Sequence, residues 1–184
     1  MDLLIDRLES ELGTILLVSD GENLCALDYG DCERRMTTLL QRRYGQFRLQ
    51  DTPDPQGFSS CIRAYLARHF TAIDDIPVSP GGTPFQQQVW MALRAIPVGM
   101  TISYGEMAAK LGKPTAYRAI GMTNRLNPVA IVIPCHRMLS ANGALTGYAG
   151  GLARKRWLLQ HEGVTTVQSA QSGLPLRAPS IVRP

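Results

Sequence analysis

The stretch "TISYGEMAAKLGKPTAYRAIGMTNRLNP", residues 101–128, contains the start and stop signals of two successive short helices. Ser103, with a glutamate three positions later, forms a capping-box pattern, and Gly112 stands where the first helix would end. Thr115 is a suitable cap for the second helix, which is expected to run to about Asn124. The stretch therefore predicts a helix, a short turn and a second helix.

A pair of helices joined in this way can present its second helix to DNA. That helix would carry Arg118 and Arg125, with the small residues Ala119 and Gly121 allowing close backbone approach. An ordinary helical hairpin inside a protein core has the same local pattern. The pattern alone leaves both interpretations open.

The charge of the 184-residue chain is +4 and is unevenly distributed. Residues 1–84 hold eight Lys/Arg and thirteen Asp/Glu, whereas residues 85–184 hold eleven Lys/Arg and only Glu106 and Glu162 as acids. The two halves carry −5 and +9. Charge can differ between domains without a functional cause, but a strongly basic half is typical of a domain that binds a polyanion. It favours DNA as the partner of the helix pair.

The first half of the chain predicts a small α+β domain. Residues 12–19, "LGTILLVS", and 24–30, "LCALDYG", are typical of two strands joined by a turn, and two helices are expected at 32–44 and 59–70. The segment "PVSPGGTP", 77–84, interrupts any periodic pattern and indicates a domain boundary.

The second half begins with a helix from Thr83 to about Ala95, signalled by a Thr-Pro start and a glutamine at the capping-box position. In "NPVAIVIPCHR", 127–137, the apolar run 129–133 predicts a buried strand that ends at Pro134. A final helix is expected at about 151–161. It is predicted to pack three residues inward, namely Leu152, Trp157 and Leu158.

These signals divide the chain into a domain at 1–78, a linker at 79–84, a second domain at 85–165 and a disordered tail at 166–184. The first residues are too acidic for a signal peptide, and no segment has the apolar length of a membrane span. Four scattered cysteines suit a reducing compartment. We expect a cytoplasmic protein.

Cys135 raises a separate question, because a lone cysteine is more often a small buried hydrophobe than a nucleophile. Here it follows a predicted strand, His136 and Arg137 can lower its pKa, and Glu162 comes later in a domain with almost no acids. Adjacent residues of an extended chain point in opposite directions. Contact between His136 and the thiol would therefore need a bend or a bridging water.

Several separate motifs agree in order and spacing with one family. "SYGEMA", "RAIG", "NPVAIVIPCHR" and "GYAGG" followed by "K..LL..EG" closely resemble the O6-alkylguanine-DNA alkyltransferases, also called methylated-DNA-protein-cysteine methyltransferases. The resemblance spans about residues 83–163 without gaps, and the amino half is similar only in size and pattern. It implies an α+β protein with a small ribonuclease-H-like amino-terminal domain and a mainly helical carboxy-terminal domain containing a helix-turn-helix.

The resemblance implies direct-reversal DNA repair. A methyl or other alkyl group would pass from O6-alkylguanine, and from O4-alkylthymine, in duplex DNA to the Cys135 thiolate after the base flips out of the helix. The transfer would occur once per molecule, because a thioether offers no leaving group for water to expel. No cofactor is implied, and the protein would act as a monomer that can cluster on DNA.

Residue roles follow from the same resemblance. Cys135 would be the acceptor, His136 its water-mediated base, Glu162 the acid that orients the histidine, Tyr104 the donor to N3 of guanine, and Asn127 a brace of the active-site turn. Arg118 would fill the place of the flipped base. Other DNA-binding residues would be Thr115, Tyr117, Ala119, Gly121 and Arg125. The substrate pocket would be formed by Tyr104, Met138, Tyr148, Ala149 and Gly150.

Some positions depart from the family pattern. Tyr117 and Leu126 stand where smaller residues are common, and Asn124 replaces a methionine of some members, so the tolerance of the pocket for bulky adducts is open. The zinc site of some relatives is not expected, since the available residues do not match its ligands by position: Cys25, Cys32, Cys61 and His69. Two other classes remain as alternatives, a DNA-lesion sensor without transfer and a cysteine hydrolase with turnover.

Overall fold

The computed structural model describes residues 1–165 and the backbone of residues 168–169. Its amino half is built on a four-stranded sheet of order β3-β2-β1-β4, in which β1 and β4 are parallel and the other neighbours antiparallel. The strands are β1 (Asp2–Leu8), β2 (Ile15–Ser19), β3 (Leu24–Tyr29) and β4 (Arg48–Asp51). The predicted strand pair is confirmed as β2 and β3. The flanking strands β1 and β4 had not been predicted.

The two faces of this sheet have different partners. Helix α1 (Glu33–Tyr44) covers one face with Met36 and Leu40. Helix α2 (Phe58–Leu66) belongs to the cluster on the other face, together with residues from the second half of the chain. The two halves therefore share one hydrophobic core.

The helix predicted for 59–70 ends earlier, at Leu66. Arg68 takes a left-handed φ of 71°, and the amides of Arg68 and His69 bond back to the carbonyls of Tyr65 and Ala64, both at 2.9 Å. This is a Schellman ending, which normally has glycine at the left-handed position. Because arginine stands there instead, the local sequence contains no stop signal.

In its described part, the carboxy half contains four α-helices, α3 (Pro84–Arg94), α4 (Tyr104–Lys110), α5 (Tyr117–Arg125) and α6 (Leu152–His161). Both predicted capping boxes are present, at Thr83 and at Ser103. Helices α4 and α5 pack together as the predicted helix-turn-helix. Thr115 is not the cap of α5, however. The amide of Ala116 bonds to the Lys113 carbonyl at 2.8 Å, and this turn delays the start of the helix.

The apolar run 129–133 is not a strand, contrary to the prediction. Val129 makes only an isolated bridge with Leu27, Ile131 has a left-handed φ of 67°, and the amide of Ile133 bonds to the Val129 carbonyl at 2.9 Å. The run is apolar because it is buried between the sheet and the helices. Its backbone groups bond partly within the turn and partly to Leu27 of β3, so burial does not require a strand here.

Short strand pairs complete the carboxy half: β5 (Ile102–Ser103) with β6 (Met138–Leu139), and β7 (Ala144–Leu145) with β8 (Gln168–Ser169). Apart from β8, the predicted disordered tail lies outside the described residues. Leu152 was wrongly predicted to pack inward. It is 45% exposed at the first turn of α6, whereas Leu158 is buried.

The fold class is confirmed as α+β, with a sheet domain followed by a mainly helical part. The proposed domain and linker boundaries stay a prediction. Among the described residues, no helix combines the length and the apolar character needed to cross a membrane.

Candidate active site

Asn127 organises the turn that leads to Cys135. Its Oδ1 accepts the amide of Val129 at 3.0 Å, and its Nδ2 donates to the carbonyl of Ile133 at 2.8 Å. Pro134 then directs the chain into a single 3-10 turn, Cys135–Arg137. The chain is therefore bent at Cys135–Arg137 and not extended, as a contact between His136 and the thiol would require.

His136 is held by a buried carboxylate. Its Nε2 lies 2.9 Å from Oε1 of Glu162, and both side chains are fully buried. The same carboxylate accepts from the hydroxyl of Tyr65 at 2.6 Å and from Nε and Nη2 of Arg137 at 2.9 and 2.8 Å. Four donors thus converge on one carboxylate.

These contacts determine the protonation of the pair. Burial alone would raise the pKa of Glu162, but the hydrogen bonds of His136 and Arg137 and the charge of Arg137 outweigh it and hold that pKa well below its usual range. Burial lowers the pKa of His136. A neutral imidazole facing an ionised carboxylate must carry its proton on Nε2. Nδ1 is then an acceptor, and it has no hydrogen-bond partner among the described residues.

The thiol of Cys135 is buried, and burial raises its pKa, so it rests in the protonated form. A hydrogen bond from Asn127 and the charges of Lys155 and Arg35 act in the opposite direction. The sequence had suggested Arg137 as a neighbouring cation. That side chain instead pairs with Glu162 and donates to the carbonyl of Ile96 at 2.5 Å.

Lys155 ties β6, which follows the Cys135 turn, to the loop after β7. Its Nζ donates to the carbonyls of Met138 at 2.5 Å and Thr146 at 2.7 Å, and burial lowers its pKa to about 8. Because Met138 is also held through β6, its backbone is fixed next to the Cys135 turn. A carbonyl oxygen has two lone pairs, so Met138 can still accept from a ligand.

Tyr104, the first residue of α4, keeps its proton because burial raises the pKa of its hydroxyl. The Thr146 hydroxyl and the Asn124 amide lie close enough to lower that pKa in part. Oδ1 of Asn124 is buried without a partner among the described residues. The Tyr104 hydroxyl is therefore a hydrogen-bond donor, and Asn124 Oδ1 is an acceptor near it that has no partner within the described part of the chain.

The opposite wall involves both halves of the chain. The hydroxyl of Tyr148 lies 2.9 Å from that of Tyr29, a fully buried residue of β3. A Cβ on Gly150 would come within 2.3 Å of the Tyr29 ring, so only glycine fits between the rings. Ala149, which is half-buried, lies between Tyr148 and Gly150 in the sequence. The predicted pocket residues are thus brought to one region, with Tyr29 as an addition.

The outer face of α5 is exposed, as predicted for a helix that meets DNA. Among the predicted DNA contacts on or just before α5, Gly121 is half-buried. The others are exposed: Thr115, Tyr117, Arg118, Ala119 and Arg125. Met122, which had not been predicted, is 58% exposed on the same helix. The inner face is anchored by Trp90, whose Nε1 donates to the Thr123 carbonyl at 3.1 Å.

Sequence reasoning missed four residues that contact or adjoin this site: Tyr29, Arg35, Tyr65 and Lys155. The lysine stands in the quoted "K..LL..EG" motif, which is a usable signal. The other three come from the amino half, where no motif points to them.

The other three cysteines offer no comparable environment. Burial raises the pKa of Cys25 to about 11 and also raises that of Cys32. Neither has a histidine–carboxylate pair beside it in the described structure. Within residues 1–165, no three His, Cys, Asp or Glu side chains cluster in a way that could hold a metal ion.

Comparisons with known proteins agree on one family. The family model "6-O-methylguanine DNA methyltransferase, ribonuclease-like domain" matches residues 4–80, and "6-O-methylguanine DNA methyltransferase, DNA binding domain" matches residues 84–164. The methylated-DNA–protein-cysteine methyltransferase of Shigella flexneri is 44% identical over 165 residues, which cover 88% of this chain and 96% of that protein.

More distant relatives extend the agreement. The methylated-DNA–protein-cysteine methyltransferase of Mycobacterium tuberculosis is 42% identical over 158 residues, covering 84% of this chain and 89% of the relative. The crystal structure of Mycobacterium tuberculosis OGT in complex with DNA superposes with a TM-score of 0.71 at 36% identity, covering 88% of this chain and 92% of that one.

Proposed function

The chain belongs to the 6-O-methylguanine DNA methyltransferase family, and we propose that the thiol of Cys135 accepts the alkyl group when the protein repairs alkylated DNA. The protein acts on DNA by direct reversal, as a methylated-DNA–protein-cysteine methyltransferase. The arrangement of Glu162, His136 and Cys135 supports the assignment of the acceptor, because the residue that directly follows Cys135 carries an oriented base, one ring nitrogen of which has no partner among the described residues.

The reaction begins with removal of the thiol proton. Cys135 rests as a thiol, and the free lone pair of His136 Nδ1 is the base available to receive its proton, directly or through a bridging water. Glu162 keeps the imidazole in the required tautomer and stabilises the imidazolium that forms. The thiolate is the strong, soft nucleophile that displacement at an alkyl carbon requires.

The thiolate then forms a carbon–sulfur bond as the alkyl carbon–O6 bond breaks. The electron pair of the broken bond goes to guanine, and Tyr104, a neutral phenol, donates to N3 so that the base does not leave as a bare anion. The proton taken from the thiol finally neutralises the guanine anion at a ring nitrogen, so that O6 returns to a carbonyl and N1 carries hydrogen again. The products are an unmodified guanine and an S-alkyl cysteine.

DNA reaches this site through α5. The exposed basic face of the helix contacts the duplex, and Arg118 occupies the place of the extruded nucleotide, since a stacked base cannot be aligned with a buried thiol. O4-alkylthymine is a second substrate of the same pocket. The protein works as a monomer in the cytoplasm and can cluster on DNA.

The decisive experiment measures stoichiometry. Duplex DNA carrying O6-methylguanine should add one methyl group per chain, located by peptide mass spectrometry at Cys135, after which activity stops. The cysteines at 25, 32 and 61 are internal controls, and Cys135→Ser should abolish transfer while retaining DNA binding. Sustained turnover would indicate a hydrolase, and binding without methylation would indicate a lesion sensor.

A further inference from the structure

Arg35, on α1 of the amino half, contacts the carboxy half with a single guanidinium. Its Nη1 pairs with Oδ2 of Asp28 at 2.5 Å, and its Nη2 donates to the backbone carbonyls of Arg125 at 2.7 Å and Asn127 at 2.9 Å. The Arg35 side chain is 25% exposed and that of Asp28 only 2%. Because the donors of a guanidinium have fixed directions, these bonds define where the two carbonyls lie.

The two carbonyls belong to different functional parts. Arg125 is the last residue of α5, where a carbonyl lacks a partner within the helix and a nearby cation is favourable. Asn127 begins the turn whose amide bonds shape the backbone before Cys135. One side chain of the amino half therefore joins the end of the DNA-facing helix to the start of the active-site turn.

The backbone of β3 supports the same connection. The amide of Leu27 donates to the Pro128 carbonyl, and its carbonyl accepts from Ala130, both at 2.9 Å. Arg35 extends this contact to the carbonyls of Arg125 and Asn127, which precede Pro128 in the chain. The sheet is thus the rigid element against which the active-site turn is placed. The Arg35 charge also acts on the Cys135 thiol and lowers its pKa, in the direction opposite to Asp28.

We propose that Arg35 is a positioning residue for alkyl transfer: it holds Asn127, and through it the Cys135 thiol, in line with the alkyl carbon, and it connects this geometry to α5. The inference rests on the proposed role of Cys135. A purely structural clamp would affect the stability of the fold but not the reactivity of the thiol in folded molecules.

The test compares Arg35→Met with Arg34→Met, a matched loss of charge at an exposed neighbour on the same helix. The rate of Cys135 methylation is measured with duplex DNA containing O6-methylguanine and with the free base O6-methylguanine, over a series of pH values. Arg35→Met should be slower by about ten- to a hundredfold on both substrates, the range typical when a group that orients a reactive residue is lost. Arg34→Met should react like the wild type.

The pH dependence separates positioning from stability. The other titratable groups that act on the thiol or adjoin it are Asp28, Tyr29, Tyr104, His136, Tyr148 and Lys155. Asp28 loses its ion-pair partner in the variant, whereas the other five make no hydrogen bond to Arg35 among the described residues. Loss of the Arg35 charge and of the Asn127 placement should therefore move the rate–pH profile to higher pH. A folded Arg35→Met variant with wild-type rates and an unmoved profile overturns the proposal.

A second variant covers the case in which Arg35→Met does not fold. Arg35→Lys keeps the charge but not the fork of donors, so it should react more slowly while its profile stays near that of the wild type. A wild-type rate in Arg35→Lys overturns the positioning role. Failure of the proposed function would look different, because the wild-type protein itself would then carry no methyl group on Cys135.

Discussion

The hydroxyl of Tyr65, on α2 of the amino half, lies 2.6 Å from Oε1 of Glu162, the same oxygen that His136 contacts at 2.9 Å. All three side chains are buried. The carboxylate that orients the imidazole is therefore held partly by the amino half, which also supplies Tyr29 and Arg35 to the site. The amino half is a structural component of the active site and not only a companion domain.

Tyr65→Phe removes one donor to this carboxylate and leaves the ring in place. A hydrogen bond to a buried charged group contributes about 1.5–3 kcal/mol, so the free energy of unfolding in urea should fall by about that amount. The rate of Cys135 methylation should decline modestly, since Arg137 still holds the carboxylate. Unchanged stability would show that the Glu162 carboxylate finds another donor in the variant.

Glu162→Gln should slow methyl transfer, because a neutral amide cannot stabilise the charged imidazole of His136. The structure adds a second consequence. The change leaves Arg137 buried without its charged partner, and breaking a buried pair costs about 3–5 kcal/mol. Rates should be measured at a temperature where circular dichroism shows the variant folded. A folded variant with the wild-type rate would remove Glu162 from the mechanism.

Lowering the pH should reduce the free energy of unfolding in two successive steps, one from His136 and one from Glu162. The lowered pKa of His136 means that the unfolded chain binds its proton first, so stability falls as the pH drops below the ordinary value of 6.5. The pKa of Glu162 is also lowered, so its contribution is complete above its ordinary value of 4.5 and is lost as the pH falls further. Urea midpoints at successive pH values measure both.

The matched variant for this pH dependence is Glu162→Gln, which cannot bind a proton at that position. Its stability should depend less on pH below 4.5 than that of the wild type. An equal slope in the two proteins would assign the acid sensitivity to other carboxylates.

Arg118→Ala tests the base-flipping role of the exposed arginine on α5. Loss of the support for the flipped state should cost about 1–3 kcal/mol, or roughly ten- to a hundredfold in rate on duplex DNA. A free base such as O6-methylguanine or O6-benzylguanine needs no flipping, so its rate should hardly change. Equal losses on both substrates would mean that Arg118 shapes the pocket or the fold.

Binding to undamaged duplex DNA should weaken steeply as salt rises, with little sequence preference. The logarithm of the binding constant should fall with that of salt concentration by about 0.9 for each phosphate contact. Arg125→Ala, on the exposed end of α5, should reduce this slope by about 1. Salt-independent binding or a sharp consensus site would favour a regulator over a repair protein.

Local signals in the sequence determined much of the carboxy half. The capping boxes at Thr83 and Ser103 and the glycine at 112 act within one turn of chain, and all three predictions are confirmed. The order and spacing of the motifs around Cys135 were sufficient to identify the family. These features need no information from distant residues.

Tertiary structure decided what the local sequence left ambiguous. An apolar run such as 129–133 is equally compatible with a buried strand and a buried turn, and the side chain of Asn127 together with the edge of β3 selects the turn. Likewise, Arg68 ends α2 in a conformation that its residue type does not predict.

The contributions of Tyr29, Arg35 and Tyr65 to the site could not be inferred from the sequence by itself. Each lies about a hundred residues from its partner: Tyr148, Asn127 or Glu162. Such contacts exist only because burial of a shared core brings the two halves together. The sequence determined which residue is the candidate acceptor, and the packing of the halves determined which residues surround it, since a side-chain contact depends on spatial proximity and not on position along the chain.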